Sequence, residues 1–556
     1  MRDKREFHSI LTTIHGKDAS AYMALAGDFD FTRFVLHHIR IAVQGDAETV
    51  ATLVLHVPQM IAGFPESLFE TPIRRTALED HLTREVAKAV SRVQSLTGVT
   101  GPDTIRFVNP GPHILPRSAF VVASDFVEAR LSVCLPVKDG KVDADSARRI
   151  FFDLLPQIVT DAMIFCYQDA EQIQRFVQVM EDADEIRQSL MQQGLVGFVA
   201  EGSSPSPNGP ALTIDESIRT EIGVPNAGTL NGLAIPSGVT VVLGDPLSGR
   251  HELVAALGDG VYNHIPEDGR SLIVTVPDAV RVCAEPGRPV RNVDLRAFLR
   301  DSQAAASVST ASASGHVSQM ATSMEALQAG AQVLMYDESD SDAAFLAADA
   351  RLRTVSGGHP GQAIPLSDRV RQMADEWRIS IVIGAWACAG PFLASADRIL
   401  WIENGVVRDV TDSARDVGFD APDAQIHSLP ELATETRRIC PSSIDPSCGF
   451  DDARIEAPTP DTIQFGRSII HLAGVPQVAD ESQAFTLGLI LNYAKLHHLD
   501  TDRSLSEVLD LIDQELGMEG LDTLARDLRG NLARPRRFEI AAALNRLPTL
   551  RTVEPI

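Results

Sequence analysis

The run VTVVLGDPLSGRHELVAAL, from Val239 to Leu257, constrains the fold more than any other stretch of the chain. A β-branched strand enters a tight loop with glycines at 244 and 249, and the loop opens a helix at Arg250 and His251. This is the spacing of G-x-x-x-x-G-K-[ST], in which backbone N–H groups cradle phosphates, the lysine bridges the β and γ groups and the hydroxyl holds Mg²⁺. The last two positions depart from it. Arg250 keeps the charge in a bulkier planar fork, and His251 gives no hydroxyl to a hard ion that prefers oxygen. Asp245 places a carboxylate where phosphate should sit, and Pro246 lacks an N–H for the cradle. Losing two charge-assisted hydrogen bonds at about 1.5–3 kcal/mol each weakens affinity by roughly two to four orders of magnitude. Gly244, Ser248, Gly249, Arg250 and His251 are the candidate phosphate-binding residues.

Downstream, QVLMYDES (Gln332 to Ser339) reads as an apolar strand ending in two carboxylates. After a P-loop this is the form of a Walker B segment, with Asp337 reaching the metal through water and Glu338 orienting the attacking water. Around these two elements, SLIVTV, SIVIGA and RILWIENG follow at spacings that suit a doubly wound, mostly parallel sheet. Residues 1–203 mix alternating runs such as RFVLHHIRIAV with helical ones such as EQIQRFVQVMEDADEIRQSLMQQ, and read as an α+β domain. The Ser/Pro/Gly-rich stretch Ser203 to Ala211 marks a boundary. The P-loop domain is expected over 212–415. Past Pro-rich and acidic loops at about 412–460, a mainly helical domain is expected over 416–556, with RSLSEVLDLIDQEL as its clearest amphipathic helix.

A formal net charge of −26 disfavours nucleic acid and anionic lipid as partners. The charged N-terminus lacks the apolar core of a signal peptide, and no run is long enough to span a membrane, so the cytoplasm is expected. The six cysteines form no CxxC pair, and read as structural or incidental. The basic cluster Arg534, Arg536 and Arg537 reads as the entry of an amphipathic helix. The neighbouring histidines at 37 and 38, and at 497 and 498, have no ligand-spaced cysteine or carboxylate and read as structural.

Several longer segments carry a family resemblance: GLVGFVAEGS, GVYNHIPEDGR, STASASGHVSQMATSMEAL, VLMYDES, LSDRVRQMADEW and PRRFEIAAALNRL. With LTTIHGKDASAY near the start, they make nearly the whole chain similar to the predicted ATPases of the ABC class. The resemblance implies an ABC-type P-loop core with a mostly parallel sheet, flanked by an α+β N-terminal domain and a mainly helical C-terminal domain. It places Ser314, Gly315, Ser318 and Gln319 in the signature region, which closes on the nucleotide of a partner subunit. A head-to-tail dimer, with itself or with an ABC-class relative, follows from that role. Tyr262 and His264, in a segment distinctive of the family, are expected to help organise the nucleotide site.

Departures from the family pattern cluster on the phosphate-facing loops. Besides Arg250 and His251, Ala344 stands where the family has Asn before Phe345, and GAWACAGPF, Gly384 to Phe392, replaces a glycine-rich loop. The expectation is an ABC-class nucleotide-binding protein that binds ATP, with Mg²⁺ in doubt, and hydrolyses it weakly or not at all. Two alternatives stay open: a pseudo-ATPase scaffold or regulatory partner of a competent relative, and a nucleic-acid clamp driven by ATP.

Overall fold

The computed structural model of the protein describes residues 2–44, 48–97, 104–207, 209–300, 302–348, 355, 362–417, 428–432, 437–449 and 453–553. The stretch read as the linker to a third domain, 412–460, lies partly outside them. The chain forms two compact units, one of Met1–Glu181 with Leu521–Arg534 and the other of Asp182–Gly520 with Pro535–Ile556. The first cut falls inside the helix Ala170–Gln193, ahead of the Ser203 to Ala211 stretch.

The first unit is built on a seven-stranded sheet. Its centre is the antiparallel run Val35–Gln44, Glu48–Pro58 and Phe126–Cys134, whose alternating residues send one face into an apolar core. The helix Lys4–Ile14 starts at Asp3, whose carboxylate accepts from the backbone N–H of Arg5 and Glu6, both at 2.9 Å. That helix buries Phe7 against Phe29 and Phe151, each with ring centroids 4.8 Å away. The returning segment is stitched in by Ser118 N donating to Leu532 O at 3.0 Å, and by Arg130 pairing with Asp522. His37 sits beside His56 with centroids 4.9 Å apart, and no group that could hold a metal occurs among the described residues.

The second unit is organised around two larger sheets. The first is antiparallel, with strands β1 (Leu195–Ala200), β2 (Arg219–Val224) and β3 (Gly228–Pro236), and a fourth introduced below. The second starts from β4 (Val239–Leu243), which feeds the glycine loop and α1 (Arg250–Asp259). Next come β5 (Ile273–Thr275), β6 (Ala279–Arg281), α2 (Gly315–Gln328) and β7 (Val333–Asp337). They are followed by α3 (Leu366–Glu376), β8 (Ser380–Ala385), β9 (Arg398–Glu403) and β10 (Val406–Asp409). The sheet order is Thr213–Ile214, β10, β9, β4, β8, β7, β6, parallel throughout except between β9 and β10. Every residue of β4, β7 and β8 is buried, which is why these strands are continuous apolar runs.

SLIVTV does not join the parallel sheet as expected. Its strand β5 pairs with β1 in the antiparallel sheet, Val274 opposite Phe198. An apolar run of three or four residues suits either environment, so its composition could not choose.

The C-terminal part opens with a three-stranded meander, Ile455–Thr459, Thr462–Phe465 and Ser468–His471. It continues in α4 (Glu481–His497), α5 (Leu505–Met518) and α6 (Arg537–Asn545). A capping box of Ser504 and Glu507 starts α5. These elements share the second unit with the P-loop core: Gln477 accepts from Arg281 N at 3.1 Å and donates to Gly258 O at 2.7 Å. Arg536 donates to Pro277 O and Ala279 O at 2.8 and 2.9 Å, and pairs with Glu539 at 2.6 Å, while Arg537 pairs with Asp510. Both arginines thus serve the entry of α6.

Candidate nucleotide site

β4 delivers the loop Gly244 to Gly249 at the carboxyl edge of the parallel sheet, beside the ends of β7 and β8. Gly249 has φ +91°, a left-handed value that glycine adopts without strain. Gly244 lies against Ser248 and Ile402 with no room for a side chain. The loop satisfies much of its own polarity. The Asp245 carboxylate accepts from Leu247 N at 2.7 Å, and Asp245 O accepts from Ser248 Oγ at 2.7 Å. Ser248 Oγ in turn accepts from Arg250 N at 3.3 Å. Asp245 therefore occupies loop donors that a phosphate would use, and Leu247 is left 96% exposed at the tip.

Arg250 turns inward. It is 2% exposed, and its guanidinium lies on the fully buried Asp337 at the end of β7. Nη2 donates to Asp337 Oδ1 at 3.2 Å and to Ser339 Oγ at 2.9 Å, and Nε faces Asp337 Oδ2 at 3.2 Å. His251 Nδ1 stands 3.0 Å from the same Oδ1, which also accepts from Ser339 N at 2.9 Å. Gly384 on β8 packs against Oδ2, where a Cβ would collide. Asp337 thus has three hydrogen-bond partners on one oxygen and a cation on the other.

This arrangement does not fit Mg²⁺. The ion needs open oxygen donors in a near-octahedral shell, yet Asp337 is engaged by Arg250 and His251, and the residue in the hydroxyl position is an imidazole. For a phosphate the fit is partial. The first turn of α1 presents N–H groups that have no intrahelical acceptor, at the positive end of the helix.

Glu338 is also engaged. Its carboxylate accepts from Trp386 N at 2.5 Å, Ala387 N at 3.2 Å and Cys388 N at 3.4 Å, in the loop that follows β8. Burial first, and the Glu338 carboxylate next, push the Cys388 thiol up to about 12. Cys283, half-buried beside Asp340, is likewise pushed up to about 12. Neither thiol is primed as a nucleophile.

The signature residues divide. Ser314 is exposed at the N-cap of α2, and its hydroxyl makes no capping bond. Gly315 packs against the Asp342 carboxylate. Ser318 and Gln319 are fully buried and face into the unit. Ser318 Oγ donates to Gly315 O at 2.6 Å and accepts from Glu285 N at 2.9 Å. Gln319 donates to Ser341 Oγ at 3.0 Å and accepts from Asp342 N at 2.7 Å. Gln319 fastens α2 to the segment after β7, and Ser318 fastens it to Glu285 after β6. Phe345 is buried between Phe298 and Tyr336, and Ala344 before it is exposed.

Tyr262 and His264 also have structural partners. Tyr262 donates to Glu539 Oε2 at 2.9 Å and accepts from Gln483 Nε2 at 3.1 Å, and His264 Nδ1 lies 2.9 Å from Asp268. Tyr262 joins the P-loop core to α4 and α6, a role with no sequence signal beyond the unusual segment. The contacts that Gly384, Ser339 and the 386–388 amides make to the two carboxylates were not foreseen either. Only the position of the loop after a core strand could have pointed to them.

The strand, glycine loop and helix on a parallel sheet define this as a P-loop nucleotide-binding domain. Comparison with family models extends the assignment over most of the chain. Residues 4–166 match the ATPase of the ABC class N-terminal model, 169–437 the P-loop domain of the ABC ATPases, and 454–553 the MRB1590 C-terminal domain. The chain belongs to the ATPases of the ABC class. Among curated proteins, none matches it. No helix among the described residues is long and apolar enough to cross a membrane.

Proposed function

We propose that the chain is a nucleotide-binding member of its family in which Mg²⁺-dependent hydrolysis is weak or absent. The observation that carries this reading is the buried Arg250 guanidinium lying on Asp337. It puts a fixed cation on the carboxylate through which a metal-dependent site would hold its ion. Glu338, the residue expected to position the attacking water, is held by three backbone N–H groups. The N-terminal turn of α1 remains as the element that meets phosphate, and supports weak binding without metal.

A second reading makes the chain the partner of a competent relative. It is favoured by the exposed Ser314 at the start of α2, whose hydroxyl makes no capping bond and, among the described residues, meets only the neighbouring His316 ring at 3.3 Å. Phosphate release tests both readings. Wild type and Glu338→Gln should release phosphate at similarly low rates with ATP and Mg²⁺, and fast turnover by wild type that Glu338→Gln abolishes contradicts the proposal. The second reading adds that a competent relative turns over faster when mixed with wild type than when mixed with Ser314→Arg.

A further inference from the structure

In the second unit, away from the glycine loop, several buried polar atoms that have no partner among the described residues gather around one small cavity. Its walls are α2, with Thr322 and Glu325, and α6, with Phe538, Asn545 and Arg546. Asn545 is fully buried, and neither its amide oxygen nor its amide nitrogen has a hydrogen-bond partner. Glu325 Oε2 accepts from Arg288 Nη2 at 2.9 Å, but Oε1 accepts no hydrogen bond. Arg437 is 4% exposed, its three guanidinium nitrogens make no hydrogen bond to the described residues, and Nη1 stands 3.9 Å from Glu325 Oε1. Buried polar groups are nearly always paired, so a cluster of this kind calls for an explanation.

The charges do not balance. Among the described residues, Arg281 pairs with Asp340 and Arg546 with Glu285, while Arg288 and Arg437 share Glu325, which leaves Arg437 as the surplus cation behind the wall. The unmet groups are of both kinds: donors on Asn545, Arg281 and Arg437, and acceptors on Asn545 and Glu325. A simple halide or carboxylate would satisfy the donors and leave the acceptors unmet. The space holds roughly two water-sized groups, too little for a nucleotide.

We propose that this cavity binds a small oxyanion that also carries a hydroxyl, of the size of hydrogen carbonate. Its anionic oxygens accept from the Asn545 amide and answer the surplus charge of Arg437. Its hydroxyl donates to Asn545 Oδ1 or Glu325 Oε1. Because α2 also carries Ser314 and Gly315, occupancy on its flank links anion level to the placement of the signature region. The inference does not rest on the reading of the nucleotide site.

The test is titration calorimetry and thermal unfolding of the full chain with sodium hydrogen carbonate at fixed pH and ionic strength, beside formate, chloride, gluconate and inorganic phosphate. Hydrogen carbonate should give saturable heat and raise the melting midpoint, with formate and chloride at least tenfold weaker and gluconate inert. A tighter response to phosphate supports the same chemistry and assigns it to the other source. Asn545→Leu should abolish the response, and Arg437→Met serves in its place should that variant not fold. Equal responses to all anions, no response to any, or a response unchanged in the variant that folds would overturn the proposal, the second meaning that water alone fills the cavity.

Discussion

Replacing Arg250 by methionine separates a structural arginine from a phosphate-binding one. Methionine keeps much of the apolar stem but removes the charge beside a carboxylate that has no exposure. Asp337 would keep His251 and the Ser339 amide on Oδ1 and lose its only cation on Oδ2. Breaking a buried ion pair from one side costs about 3–5 kcal/mol, because the remaining charge is stranded. The unfolding constant of the second unit should therefore rise by roughly two to nearly four orders of magnitude. Removing the charge on both sides, with Arg250→Met and Asp337→Asn together, should recover most of that loss. All three tryptophans, Trp377, Trp386 and Trp401, lie in the second unit, so their fluorescence in a urea titration follows it alone. An Arg250→Met variant within about 1 kcal/mol of wild type, a difference expected of a surface site, would mean that the guanidinium faces solvent and the reasoning fails.

The converse substitution, Arg250→Lys with His251→Ser, restores a compact ammonium and a hydroxyl. It should tighten Mg²⁺–ATP binding by at least tenfold in calorimetry, and an unchanged affinity would place the defect in Asp245 and Pro246 instead. In the first unit, burial pushes the Glu79 carboxyl up to about 7, with the Val122 amide opposing, and holds His81 below its ordinary range. A raised acid takes up its proton earlier in the fold, so Glu79 adds stability as pH falls from about 7 to 4.5, by up to about 3 kcal/mol. A depressed histidine does the opposite, and its contribution is lost as pH falls below 6.5. The two offset each other in wild type. Glu79→Gln should expose the histidine loss as faster hydrogen exchange in the helix Pro72–Thr97 at pH 5 than at pH 7.5, relative to wild type, and a variant that tracks wild type would refute this.

The parallel core was legible because its strands are buried on both faces and carry uninterrupted apolar runs, as in VTVVLG and SIVIGA. Helices with caps or amphipathic faces were legible for the same kind of reason, and RSLSEVLDLIDQEL carries both. SLIVTV was misplaced because strand composition does not name the neighbouring strand. The return of Leu521–Arg534 to the first unit had no local signal, since it rests on contacts such as Ser118 with Leu532, over 400 positions apart. At the site, the sequence singled out positions 250, 251, 337 and 338, and the structure brings these four residues together. What sequence could not give was direction: whether Arg250 reaches out to phosphate or in to Asp337, and whether Ser318 and Gln319 face a ligand or the interior. Those outcomes depend on burial that only the folded chain defines.

Calorimetric titration of wild type with ATP, run with Mg²⁺ and again with a chelator, tests the central claim most directly. If Arg250 has taken the metal's place on Asp337, binding is weak, on the order of millimolar, and the same in both conditions. Micromolar binding that requires Mg²⁺ would contradict the account, because it would show that Asp337 is open to the ion.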